Sequence, residues 1–197
     1  ALRPTPGDSL QFVTDLQNSY FSDTHSFNQN VGINLQGVWD KVEMSLSPKA
    51  NVISERLIYD RGGEHFDPSR TYLDYGGQAS LRYKFTSHNH IQASYNGSTS
   101  RRSLMDQLPI RDTSNPMVEN VNNPNLKDGW QNSWNLSGRI FNQKRGDSYY
   151  AGIYFNNSTN SVVTTEQVDP VTGYRRYSKM NVNGNYNITA YASTDQP

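Results

Sequence analysis

Apolar and polar residues alternate over stretch after stretch of this chain, and that alternation limits most what it can fold into. In NVGINLQG, Val31, Ile33 and Leu35 fall on one side and Asn30, Asn34 and Gln36 on the other. In VEMSLSPKANV, Val42, Met44, Leu46, Ala50 and Val52 oppose Glu43, Ser45, Ser47, Lys49 and Asn51. Leu73, Tyr75, Ala79, Leu81, Tyr83 and Phe85 oppose Asp74, Gln78, Ser80, Arg82 and Lys84. Ile91, Ala93 and Tyr95 start a fourth run, and Trp134, Leu136 and Ile140 a fifth. Tyr149, Ala151, Ile153 and Phe155 form the sixth, which VVTTEQV continues outward; Met180, Val182, Tyr186, Ile188 and Ala190 form the seventh. Side chains of a strand point alternately to its two faces, so a period of two is the strand signature. The expected fold is all-β, an antiparallel up-and-down meander of about seven long strands. Most of these runs cover about ten to twenty residues, well above the average strand of ~5–6.

The connections differ in length. VWDK, TSHN and FNQKRGD are short, whereas the stretches 59–70 and 101–129 read as long polar loops, and DPVTG marks a turn. In a meander, alternate connections lie at the same end, so one end carries tight turns and the other long loops. Pro48 cannot donate to a ladder, so a bulge or weak point is expected there. Residues 1–24, broken by Pro4, Pro6 and Gly7, read as a poorly patterned loop or edge segment before a 25–197 β-segment.

Period two does not say what each face meets. A soluble sandwich would turn the apolar face inward, whereas a membrane barrel would turn it to lipid and line its lumen with the polar face. Strand length and loop asymmetry favour the barrel. So does the composition of the polar face, which is Asn, Gln and Ser where soluble sheets more often use Lys and Glu. The negative mean hydropathy does not exclude a barrel, because such strands are apolar on one face only. With a formal net charge of zero, no electrostatic case for nucleic acid arises. With no cysteine, disulfides and thiolate metal sites are excluded.

No catalytic constellation stands out, and the expectation is a protein that is not an enzyme, with no cofactor and no metal. His25, His65, His88 and His90 are scattered, and His88 and His90 read as solvated turn residues. Candidate ligand contacts sit on the long loop and at its end: Arg101, Arg102, Asp106, Arg111, Asp112 and Trp130. Arginine and aromatic side chains are frequent at recognition sites. The plainer reading is that the loop packs on its neighbours, that Arg101 and Arg102 mark a strand end, and that Trp130 or Trp134 belongs to an interfacial belt.

The run ASYNGSTSRRSLMDQLP, then DTSNP, then NVNNPNLKDGWQNSWNLSG resembles the barrel of TonB-dependent outer-membrane transporters, in particular the Bacteroidetes outer-membrane β-barrel family. In that family a strand ending in an Arg-Pro pair and a Leu-Pro step leads into a loop that closes with Gly-Asn-Pro-Asn-Leu-Lys-Pro-Glu. Asn123, Pro124, Asn125, Leu126 and Lys127 match. Asn122 stands in place of the Gly, Asp128 and Gly129 in place of the Pro-Glu, and Ser103 in place of the strand-end Pro. The resemblance implies a segment from the middle of a barrel of about 22 strands in a bacterial outer membrane. It implies a plug domain of the same parent protein, coupling to TonB through that parent, contact with outer-membrane lipid, and uptake of an extracellular nutrient. The alternatives from other classes are a soluble or surface β-domain binding glycan or protein, and a small closed barrel of about eight strands.

Overall fold

The computed structural model describes residues 2–4, 12–14 and 19–196. In chain order the strands are β1 (Leu2–Pro4), β2 (Phe12–Thr14), β3 (Tyr20–Gly32), β4 (Leu35–Trp39), β5 (Val42–Arg61), β6 (Glu64–Phe66), β7 (Ser69–Lys84) and β8 (His90–Ser100). A single 3-10 turn at Met105–Gln107 precedes β9 (Arg111–Asn115) and β10 (Val118–Val121). Then come β11 (Gly129–Asn142), β12 (Asp147–Thr159), β13 (Ser161–Val168), β14 (Arg175–Val182) and β15 (Asn185–Asp195).

The alternating runs become one antiparallel wall in the order β15-β12-β11-β8-β7-β5-β3, with β4 and β6 also on β5. Every pair in this path keeps one register from end to end. Directly paired residues share a face, so the rows can be read across the sheet. Met44, Leu81, Ala93, Leu136, Ile153 and Ala190 form one apolar row; Ser45, Ser80, Ser94, Asn135, Tyr154 and Thr189 form the polar row beside it. The apolar face is open: Ile33 is 58% exposed, Leu81 50% and Leu136 48%. Among the described residues no second layer covers it. From Tyr75 to Lys84, strand β7 has the length of a tilted membrane-spanning strand, about 9–11 residues. Aromatic residues mark both ends of this band on the apolar face: Tyr75 and Trp130 meet at one (centroids 4.9 Å apart), Tyr83 and Phe85 at the other (5.1 Å).

Pro48 causes no bulge. The β5 register on β3 and β4 runs straight past it, and the missing donor shows only as the two-residue gap at Ile33–Asn34 between β3 and β4. Across the other side, Pro48 faces Gly77, where a Cβ would lie 2.8 Å from the Ser47 carbonyl oxygen and 2.9 Å from Pro48 Cα. The proline ring is accommodated by leaving its neighbour without a side chain.

Three expectations at the long-loop end need correction. Tyr20–Thr24 belong to β3, because they pair with Leu57–Arg61 along the same ladder. The 59–70 stretch is not a long loop. Strand β5 continues to Arg61, reverses at Gly62 and Gly63, both with positive φ, and returns through β6 and β7. Only glycine enters such a turn without steric cost. The 101–129 stretch is not structureless either. Its β9–β10 hairpin joins a second sheet of order β13-β14-β10-β9, in which β10 and β14 run parallel.

This second sheet forms an outer cap, and its connection to the wall is local. Strands β12 and β15 break at the same level, at Asn160 (φ 51°) and Gly184 (φ 85°), and beyond these breaks the chain belongs to the second sheet as β13 and β14. Beneath the cap, β5 changes phase: Val52 is on the apolar face, while Ile53, Leu57 and Tyr59 are buried on the opposite one. Leu57 and Tyr59 pack with Leu104, Leu108 and Ile110, flanked by Phe66 and Met105. This small dry cluster is the core that the loop folds around.

Candidate functional site

The polar face of the wall meets the cap at a rim of charged side chains, and two of the six candidate residues, Arg101 and Arg102, lie there. On β7, side chains of even number share the polar face, so Arg70, Tyr72 and Asp74 line up along it. Arg101, just beyond the end of β8, reaches back over the Tyr72 ring at 4.7 Å and pairs with Asp74 at 3.7 Å. Arg70 approaches the same ring from 5.2 Å. A guanidinium over an aromatic face is attracted by the ring quadrupole. The Tyr72 hydroxyl donates to Glu55, and burial together with that carboxylate pushes its pKa up to about 12.

Asp128 ties the rim together. It accepts from Arg70 Nη2 at 3.1 Å and from the Arg102 backbone N–H at 3.2 Å, with Arg102 Nε 3.8 Å away. Arg70 Nη1 also donates to Gln107 at 3.3 Å. One carboxylate thus joins the start of the excursion, its end and the neighbouring strand. Burial and the nearby Arg70 lower the pKa of Arg102.

Asp106 points the other way, to Lys179 Nζ of β14 at 2.6 Å. Asp112 pairs with Arg61 at 2.8 Å, which holds the β9–β10 hairpin to the end of β5. That contact raises the pKa of Arg61, first through the hydrogen bond. Arg111 is 65% exposed and lies 3.5 Å from Glu119, which is also 3.4 Å from Arg176. Trp130 does not join the rim. It faces the apolar side, its ring tilted 32° against that of Tyr75, with its Nε1 donating to Asn132 at 2.8 Å. So Arg101 and Arg102 come together at the rim, Asp106 and Arg111 tie the cap internally, Asp112 ties it to β5, and Trp130 lies on the apolar face beside Tyr75.

The Asn123–Lys127 run has a defined structural task. The Asn125 N–H donates to Asn123 Oδ1 at 2.9 Å, closing a turn that buries Leu126 to 1% exposure. Asn123 Nδ2 donates to the Lys179 carbonyl at 2.9 Å. The Lys127 N–H donates to Asn181 Oδ1 at 2.7 Å, and Asn181 Nδ2 donates to the Lys127 carbonyl at 2.9 Å. The Asn181 amide therefore stands in for one rung of a β-ladder. It also donates to the Asn160 carbonyl at 2.7 Å, and the Asn160 N–H donates to Asn183 Oδ1 at 2.7 Å. These bonds fix the corner where the hairpin leaves the wall.

Sequence reasoning missed Arg70, Tyr72 and Asn181. Their roles arise where strands distant in sequence converge, and nothing local marks them. Asp128 carried one signal, as a departure from the Pro-Glu of the resemblance.

A model of an outer membrane protein beta-barrel family matches residues 59–197, more than half of the chain. No curated protein matches it.

Proposed function

Because the chain belongs to the outer membrane protein beta-barrel family, we propose that it supplies wall and outer loops of a TonB-dependent transporter that takes up a nutrient, and that it is not an enzyme. Its location is the bacterial outer membrane. The observation that carries the proposal is the pairing of a lipid-facing wall with a folded cap that meets the polar face at a rim of paired charges. A simple diffusion pore needs no such cap. A receptor does, because loops held in one arrangement bind ligand without a large ordering cost. The Asn123–Lys127 run, on which the resemblance rests, is what fastens this cap. In this reading Arg101 and Arg102 face incoming ligand, and Arg111 and Asp112 set the position of the β9–β10 hairpin. A plug domain of the parent protein lies against the polar face and couples to TonB.

Crosslinking in energised bacterial envelopes tests the proposal, using the full-length protein that carries this chain. TonB is expected among its crosslinked partners, with the yield falling when the proton gradient is collapsed. A protein that never captures TonB, and whose ligand accumulates equally in cells lacking TonB, overturns the proposal.

A further inference from the structure

The lipid-facing side of the wall is not uniform. Near the short-turn end it holds a groove of about 730 Å³. Gly138 of β11 and Ala151 of β12, directly paired, form its floor. Phe85, Ile91, Ile140 and Tyr149 stand around them. The volume is within the range of ligand sites, about 300–1,000 Å³.

The floor is open because Gly138 has no side chain, and the packing of the wall does not require a glycine there. At Gly77, Gly97 and Gly152 a Cβ would meet another atom at 2.8, 2.3 and 2.3 Å, so close approach excludes a side chain. At Gly138 the nearest atom is the His90 carbonyl oxygen at 3.7 Å, an ordinary contact, and φ is not positive. A glycine inside a strand weakens it. What the missing side chain provides here is the groove.

Below the floor, Ile140 pairs with Tyr149 and Asn142 with Asp147, and there the chain turns. The Arg145 and Gly146 N–H groups close the turn on the Asn142 carbonyl at 3.2 and 2.8 Å. The turn carries Lys144 and Arg145, both exposed and, among the described residues, in no ion pair. Their acidic neighbour Asp147 is 8% exposed, with the Tyr149 hydroxyl 3.5 Å from its carboxylate. Two unpaired cations thus lie at the foot of an apolar groove, about 13 Å of strand below its floor.

We propose that the groove seats an acyl chain of an anionic phospholipid whose phosphate is held by Lys144 and Arg145. The groove opens on the membrane-facing side, and the unpaired charge at its foot is positive. Lysine and arginine at a membrane surface attract anionic head groups. Short turns of outer-membrane barrels lie on the periplasmic side, so the lipid belongs to the periplasmic leaflet. This needs only the outer-membrane location and is independent of coupling to TonB.

The test is native mass spectrometry of the full-length protein in detergent, titrated separately with dioleoylphosphatidylglycerol and dioleoylphosphatidylcholine. The phosphatidylglycerol is expected to bind about 25-fold more tightly, each of the two cations contributing about a factor of five. Lys144→Gln and Arg145→Gln should each reduce that preference about fivefold, and the double variant should abolish it. Gly138→Leu fills the floor, where the backbone leaves room, and should weaken binding of both lipids about tenfold. Lys49→Gln, on the polar face of β5, should change neither. The proposal is overturned if phosphatidylcholine binds as tightly as phosphatidylglycerol or more tightly, if the double variant keeps the preference, or if Gly138→Leu binds both lipids as the unsubstituted protein does. Should Gly138→Leu fail to fold, the charge variants decide the matter alone.

Discussion

The wall and the cap are built from the same kind of strand and held by different physics. The wall is a single layer with its apolar face open, and its hydrogen bonds run in unbroken register. It has almost no core of its own, so its stability depends on a membrane that covers that face. The cap has short strands, a parallel pairing and a dry cluster around Leu57, Tyr59 and Leu104. It stands in water and needs ordinary burial and satisfied polar groups. Lipid can therefore complete one region but not the other, and substitutions should separate them.

The sharpest way to break the comparison is Leu126→Ala. This side chain is 1% exposed at the turn that fastens the cap. Removing it should cost about 2–5 kcal/mol, read as lost hydrogen-exchange protection over 101–129 while the wall stays protected. If wall and cap open together, they are one cooperative unit and the distinction fails. Leu81→Arg attacks the other side. At the middle of the lipid face it should cost about 2–4 kcal/mol of folding free energy into bilayers, measured by reversible unfolding from lipid vesicles, with the Arg101–Tyr72 stack unaffected.

Asn181→Ala leaves the Lys127 N–H and carbonyl without their partner and should cost about 1–3 kcal/mol. The expected readout is faster proteolytic cleavage near Lys127 with no change in wall strand content. The smallest effect concerns Asp169, whose carboxylate accepts from the Val171 and Thr172 backbone N–H groups at 2.8 and 3.3 Å. These bonds, led by that to Val171, hold its pKa below the usual carboxylate range. Its contribution is therefore present above the unfolded pKa of about 3.9 and is lost as pH falls through the lower folded value. Amide exchange confined to residues 169–173 should quicken in that acid window while the wall does not change.

The two regions also differed in how far the sequence revealed them. The wall was legible because its faces repeat every two residues and its partners are adjacent in the chain. Six of the seven alternating runs lie in the wall, whereas the seventh is split at Gly184, with Met180 and Val182 in β14 of the cap and Tyr186, Ile188 and Ala190 in β15 of the wall; the run 162–168 does continue β12 outward as β13. The cap was hidden for two reasons. Strand β10 pairs in parallel with β14, whose residues lie far along the chain, and no local pattern marks that pairing. The change of phase at Val52 and Ile53 makes VISERLIYD look like a loss of strand pattern, so the segment from Tyr59 reads as a loop. For the rim, Arg101 and Arg102 were conspicuous as a charged pair at a strand end, whereas Arg70 and Tyr72 matter only because their strand, β7, lies beside β8 and the excursion that follows it. The face of Trp130 became readable once its register with Thr99 was known.

The change of phase in β5 has a consequence for depth. Up to Val52 the strand offers its greasy side outward, and from Ile53 it offers it inward. That boundary works as a plimsoll line. Were the protein to ride deeper, polar Ser54 and Arg56 would enter hydrocarbon; were it to ride higher, Val52 and Leu73 would be stranded in water. The vertical seating of the molecule is thus set within a single strand, by where its hydrophobic side crosses over, without reference to any particular lipid.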